Sequence, residues 1–223
     1  MNFRPSSRGR LTEHDLGRFP GDTLFERVAR AVCQAGSLPR KELYEAWEVA
    51  RRVRRLFRGG RVVDLGGGHG LLAHIMLLLD DSSPAALVVD VAVAPSAAKV
   101  QRAIEAAWPR LAGRVSRTRD RLEEVEVVPG DVVVSSHACG TLTDRVLDRA
   151  VGGRARVGVL PCCHDLDTCN QGGLTGWVDG PLAVDIVRAG RLREHGYQVW
   201  TQTIPSAITP KNRLLLGTPR TDG

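Results

Sequence analysis

Residues 62–70 read Val-Val-Asp-Leu-Gly-Gly-Gly-His-Gly and run straight into the apolar segment Leu-Leu-Ala-His-Ile-Met-Leu-Leu-Leu. Few folds accommodate such a stretch. The two valines make a buried strand, Asp64 closes it, and Gly66, Gly68 and Gly70 form a turn that opens into a helix. Glycine at alternate positions leaves no Cβ in the way, so a ligand can lie directly against the backbone. The helix that follows would point its free N–H groups and positive end at that ligand.

Beyond this turn the chain alternates strands and helices. The first strand, 61–65, and its helix, 70–79, are followed by a second strand ending near Asp90 and a helix over about 96–109. A short strand is expected near 113–118, a fourth at 131–136 with a helix at 141–150, and a fifth at 155–160. After a helix containing Ala183 to Ala189, segments 197–203 and 212–218 flank the turn-rich Ser-Ala-Ile-Thr-Pro-Lys and read as an antiparallel hairpin. The pattern predicts an α/β fold of Rossmann type: a seven-stranded, mostly parallel sheet over residues 61–219 with a closing antiparallel hairpin.

Ahead of it, residues 21–60 predict a helical segment. Thr23 and Glu26 make a capping box for a helix to about Ala35. Pro39 suits the first turn of a second helix that stops at Gly59-Gly60. Leu43, Ala46, Trp47, Ala50, Val53 and Phe57 share one face of it, with Arg51, Arg52, Arg55 and Arg58 as a cationic stripe alongside. Residues 1–20, with Pro5, Ser6, Ser7, Gly9 and several arginines, have little to bury and are expected to be a basic, mobile arm.

Charge sharpens this division. Residues 1–61 hold 14 basic and 7 acidic side chains, so all of the chain's net +6 lies in the amino-terminal quarter. That excess is either a solvated face or a polyanion-binding one; on the second reading Arg51 and Arg55 would touch an RNA substrate. The apolar run at 71–79 is too short for a membrane span, and the polar amino terminus lacks the apolar core of a secretory leader. Five cysteines without small-scaffold spacing suit reduced thiols in the cytoplasm. Nothing in the sequence indicates an oligomeric state.

Gly68, Gly70 and Ala73 satisfy a loose dinucleotide fingerprint, but the glycines begin one alternation early. The run Asp64, Gly66, Gly67, Gly68, Gly70 instead resembles the nucleotide loop of S-adenosylmethionine (SAM) methyltransferases, in which Asp64 would face the ammonium of the methionine part. In such a sheet ligands sit at the carboxyl ends of the strands. Asp90 is placed there to accept the ribose hydroxyls. Asp120, after the third strand, is placed to meet adenine or to pair with Arg117, Arg119 or Arg121.

The fourth and fifth strands end in Ser-His-Ala-Cys-Gly-Thr-Leu-Thr-Asp at 136–144 and Leu-Pro-Cys-Cys-His-Asp at 160–165. With the closing Thr-Pro-x-Asn-x-Leu-Leu-Leu, these motifs resemble one methyltransferase-domain family. It includes the eukaryotic tRNA acceptor-stem ribose 2′-O-methyltransferases and the glutathione-S-transferase-C-terminal-domain proteins. The likeness covers about residues 40–218. It implies SAM as cofactor and a cleft built from His137, Cys139, Asp144, Cys162, Cys163 and His164. Two departures separate fold and cofactor from substrate. No Cys/His zinc segment precedes the domain, and Asp165 stands where the tRNA enzymes carry another histidine.

Oxygen methylation is the leading chemistry. It needs a base, and His137 or His164 could serve, oriented by Asp144 or Asp165. Cytosine C5 methylation through Cys139 or Cys162 is the runner-up, although the usual Asp-x-Pro-Cys is missing. Adenine N6 methylation ranks low because Ser136-His137-Ala138-Cys139 cannot reproduce the Asn/Asp-Pro-Pro-aromatic motif. Acceptors other than RNA, a small molecule or a protein, stay open, as does a non-catalytic SAM-fold protein. Cys162, Cys163, His164 and Cys169 could in principle hold zinc, but adjacent cysteines seldom reach one tetrahedral ion, so no metal is expected.

Overall fold

The central strands of the structure, a computed structural model describing residues 3–220, are short and largely apolar. β1 (Val62–Leu65) and β4 (Val132–Ser135) are buried at every position. Such continuous runs are the mark of parallel strands covered on both faces. They lie side by side, Val62 opposite Val132. β2 (Ala86–Val89) and β3 (Val115–Thr118) extend the sheet on one side, and β5 (Arg156–Val159) on the other, all parallel. β6 (Tyr197–Thr203) and β7 (Arg213–Pro219) form the antiparallel hairpin, with β7 pairing to β5, so the order is β3-β2-β1-β4-β5-β7-β6. This is the expected seven-stranded layout, with strand ends within about two residues of the sequence reading.

The two-residue period divides the core in two. Val62, Ala86, Val88, Val132 and Val134 face helices α1 (Leu24–Ala35), α2 (Arg40–Leu56), α3 (Leu71–Leu78) and α4 (Ala97–Ala107). Val63, Leu65, Val89, Val133, Val157 and Val159 face α5 (Leu142–Gly152) and α6 (Gly180–Glu194). β1 sits where the strand order reverses, flanked by β2 and β4, and the crevice at its carboxyl end is the natural ligand position.

From residue 3 onward the amino-terminal segment departs from expectation: instead of a mobile arm, it is folded onto the body, while residues 1–2 of the expected arm lie outside the described residues. Leu11 and Phe19 are buried, and a 3-10 turn spans Glu13–Arg18. The reason lies in α2, whose N-cap is Pro39 and which has no side-chain cap. Its first free N–H groups therefore need other acceptors. The carbonyls of Gly9 and Ser7 provide them, accepting from Arg40 N at 3.0 Å and Lys41 N at 3.0 Å. Arg40 also stacks 3.5 Å from the Phe3 ring centroid.

α2 is anchored at its other end by Arg54, which is 2% exposed and lies outside the predicted stripe. Its guanidinium donates to Met76 O and Ser83 Oγ and pairs with buried Asp80 at 3.2 Å. Among the described residues no helix is long and apolar enough to cross a membrane.

Candidate active site

The glycine turn between β1 and α3 folds as its composition demands. Gly66, Gly68 and Gly70 have φ of 69°, 49° and 72°, the left-handed region open chiefly to glycine. Gly67 is needed for a different reason: a Cβ there would lie 2.7 Å from the Asp64 carboxylate and 2.8 Å from Val88. Arg117 of β3 holds the loop from behind, donating to the carbonyls of Gly68 and His69. Sequence reasoning assigned Arg117 only as a partner for Asp120. Its alternation on β3, pointing the same way as Val115, is the signal that it reaches the loop.

In front of the loop is a cavity of about 390 Å³, lined by Gly66, Gly67, Gly68, His69, Asp90 and His137, with Glu42, Ala46, Ser136 and Leu142 closing it. A side chain at Gly68 would stand in open space. Asp90, at the tip of β2, accepts from Gly68 N at 3.0 Å through one oxygen and from Ala92 N at 3.1 Å through the other. Each oxygen keeps a lone pair for a further donor.

Asp64 is 1% exposed and does not line the cavity but lies against Gly67 beneath it. Neither of its carboxylate oxygens has a hydrogen-bond partner. Burial pushes its pKa up to about 7. A buried acceptor with unused lone pairs beside a Cβ-free cavity wall suits a ligand carrying a positive charge. The donor set (a diol acceptor at Asp90, open glycine backbone, a buried carboxylate) fits a sulfonium nucleoside with an amino-acid tail.

The tips of β4 and β5 converge as the two motifs require. Leu160 N donates to Ser135 O at 2.9 Å, and Gly140 N to Cys163 O at 3.0 Å. The Sγ atoms of Cys139 and Cys162 stand 2.9 Å apart, and Lys211 Nζ lies 3.3 Å from Cys163 Sγ. Burial pushes the Cys139 and Cys162 thiols up, whereas the Lys211 ammonium draws the Cys163 thiol down.

A second cavity, of about 460 Å³, opens here between the thiols and the amino-terminal segment. Ser6, Arg8, Lys41, Lys211, Cys162 and Cys163 are in its walls, and Glu42 and His137 line both cavities. His137 is exposed at this junction, yet the protein around its ring, then the charges of Lys41 and His69, pull its pKa below the ordinary value. Burial, then neighbouring Glu45, pushes Glu42 up. Lys41, Glu42 and Lys211 escaped the sequence reading, because α2 was read for its apolar face and its arginines, and the β6–β7 segment only as a turn.

Several expected site residues lie elsewhere. His164 is turned away from both cavities: its side chain is 4% exposed and its Nε2 lies 2.7 Å from Asp185 Oδ1. Arg213 donates to the other Asp185 oxygen at 2.6 Å, so His164 belongs to a buried ion network under α6. Asp144 is held by Arg188 through bonds of 3.0 and 2.8 Å and cannot orient a catalytic ring. Asp165 folds its own loop, accepting from Thr168 Oγ1 at 2.7 Å and Asp167 N at 3.2 Å. Asp120 is exposed, pairs with Thr118 and lines neither cavity.

Arg51 and Arg55 are at the wrong end of α2, roughly 14 and 20 Å along its axis from Glu42. Arg51 is spent on Glu48 at 3.0 Å. His74 is buried in α3 with Nδ1 2.7 Å from Gly70 O, and burial lowers its pKa to about 4.

Comparison with known proteins agrees with this geometry. The family model described as "Methyltransferase domain" matches residues 41–168, more than half of the chain. No curated protein sequence matches at a significant level. Among solved structures, an O-methyltransferase family protein from Burkholderia thailandensis superposes with a TM-score of 0.55 at 20% identity, over 96% of this chain and 65% of that one. This chain thus spans just under two thirds of the Burkholderia protein. A candidate RNA methyltransferase from Pyrococcus horikoshii gives 0.51 at 18% identity, covering 79% and 83% of the two chains. A ribosomal protein L11 methylase from Lactobacillus delbrueckii subsp. bulgaricus gives 0.50 at 15%, covering 79% and 77%. At these identities the likeness is one of fold. The family match covers the glycine loop, Asp90 and both Cys/His motifs, and the chain belongs to this methyltransferase-domain family.

Proposed function

We propose that the enzyme methylates a hydroxyl group of a structured RNA, with a tRNA ribose 2′-hydroxyl as the acceptor its two Cys/His motifs suggest. One observation carries the reading: the second cavity abuts the cofactor cavity at His137 and Glu42, and Arg8, Lys41 and Lys211 line it. Lys41 is held by Glu45 of the same wall at 3.0 Å, which leaves Arg8 and Lys211 to meet a phosphate-bearing substrate. Arg8 comes from the amino-terminal segment, so the basic quarter of the chain contributes through one wall of the cavity. With aromatic residues only 4% of the chain, recognition by shape and backbone is favoured over base stacking. This reading makes the enzyme cytoplasmic, where its cysteines stay reduced.

SAM supplies an electrophilic methyl group on a positively charged sulfur. The protein's part is to hold the acceptor in line and receive its proton. Asp90 binds the ribose diol, and Asp64 offsets the ammonium from beneath Gly67. His137, neutral at pH 7 because its pKa lies below the ordinary value, accepts the proton released by the attacking hydroxyl. Glu42, which lines both cavities, is the second group placed to share that role or to hold the hydroxyl. Cysteine-mediated C5 chemistry is disfavoured, since the surroundings of Cys139 and Cys162 push both thiols above the ordinary range, away from the reactive thiolate.

A small hydroxylated molecule is the second reading, favoured by the volume of the acceptor cavity, about 460 Å³, which is typical of small-molecule sites. The two separate in one experiment. Labelled SAM is incubated with the enzyme and either total RNA or a ribonuclease-treated metabolite extract. The RNA reading expects ribonuclease-sensitive label. If Arg8 and Lys211 each meet one phosphate, affinity falls roughly 7- to 12-fold between 50 and 200 mM salt. Label confined to the small-molecule fraction, insensitive to salt, would overturn it.

A further inference from the structure

Three thiols meet beside the acceptor cavity, whose wall includes two of them, Cys162 and Cys163. The Sγ atoms of Cys139, Cys162 and Cys163 all lie within 4.8 Å of one another. They come from two strand tips that the sheet holds side by side, Cys139 after β4 and the other two after β5. Consecutive residues of a strand would point to opposite faces. Residues 160–165, however, have no regular structure, which lets Cys162 and Cys163 turn to the same side. The linear Cys-Cys-His-x4-Cys pattern is not the set that assembles. His164 is bound to Asp185, and Cys169 is buried where Arg188 approaches its sulfur at 3.8 Å.

We propose that Cys139, Cys162 and Cys163 form a zinc site beside the acceptor cavity, two of its ligands, Cys162 and Cys163, standing in the cavity wall. Zn–S bonds of about 2.3 Å in a tetrahedron set the sulfurs about 3.8 Å apart. The 2.9 Å pair therefore opens by roughly 0.9 Å, and the third sulfur, no more than 4.8 Å from either, already lies in range. Softness of the ligands selects zinc over magnesium, calcium or manganese. Three thiolates on one Zn²⁺ leave one negative charge in excess, and the Lys211 ammonium, 3.3 Å from Cys163 Sγ, stands where it offsets that charge. Such an ion would tie the β4 and β5 tips together and fix the cavity wall they form. This inference does not depend on the identity of the acceptor.

The test uses the full chain, fully reduced and freed of metal, titrated with Zn²⁺ against a chromogenic chelator and with Cd²⁺ for thiolate-to-metal absorption. The expected result is one equivalent of metal bound, with an absorption amplitude of three thiolates. Cys139→Ser, Cys162→Ser and Cys163→Ser should each weaken binding more than about tenfold, as loss of a direct ligand must exceed loss of a supporting one. The double variant Cys33→Ser/Cys169→Ser should bind as the wild type does, and circular dichroism checks the fold of each variant. No stoichiometric binding by the reduced wild type, or binding unchanged by the three serine variants, overturns the proposal.

Discussion

Replacing Asp64 by asparagine isolates the most unusual charge in the protein. The carboxyl is 1% exposed, its burial outweighs the Ala73 backbone N–H and the Arg117 charge that oppose it, and its pKa stands at about 7 against roughly 3.9 in an unfolded chain. A native pKa above the unfolded one means that the folded state binds more protons between pH 4 and 7, so wild-type stability falls as pH rises through that window. Three units at 1.36 kcal/mol each give a ceiling of about 4 kcal/mol, reached above pH 7 and absent below pH 4. Asparagine has nearly the same shape and no titration. The difference in melting temperature, variant minus wild type, should therefore be least at pH 4 and grow to pH 8, by as much as roughly 8–16 °C for a chain of this size. Scanning calorimetry of the cofactor-free proteins at pH 4, 6 and 8 measures it. The amide's own burial shifts all three points equally, so a difference that does not change with pH would refute the reasoning. The same ionisation should make SAM affinity rise between pH 6 and 8 in wild type and stay flat in Asp64→Asn.

Three further outcomes are expected. Asp90→Ala should weaken SAM binding by roughly 10- to 100-fold, the worth of charge-assisted bonds to a diol, measured by calorimetry; unchanged affinity would place the ribose elsewhere. His137→Ala should lower kcat with little change in SAM affinity, and the acid limb of the wild-type pH–rate profile, below the ordinary histidine value of 6.5, should vanish with it. His164→Ala should leave SAM affinity intact but destabilise the fold by about 1–3 kcal/mol, because Asp185 loses one hydrogen bond while Arg213 and Arg188 remain; denaturant titration alongside calorimetry checks both halves.

What the sequence disclosed and what it concealed divide on physical lines. The sheet was legible because parallel strands covered on both faces must be runs such as Val-Val-Asp-Leu and Val-Val-Val-Ser. The cofactor loop was legible because positive φ and close approach leave glycine few substitutes. The thiols were legible as a pair of motifs on neighbouring strands. Side-chain direction was not. His164 and His137 carry the same chemistry beside equivalent strand tips, yet one turns under α6 to Asp185 and the other faces the cavities. Nor could composition say that Ser6 and Arg8 would fold back on α2. That depended on the donors left free behind Pro39, which only the assembled backbone reveals. The arginines of α2 drew attention by number, while Lys41 and Glu42, one at each helix-start position, hold the place beside the site.

The most direct test of the account is a crystal structure of the protein with S-adenosylhomocysteine bound. The account expects the nucleoside against Gly66, Gly67 and Gly68, both ribose hydroxyls on Asp90, the amino group above Asp64, and the sulfur opening toward His137. Density for the nucleoside away from the glycine loop, or a sulfur pointing away from the His137 and Glu42 junction, would contradict it.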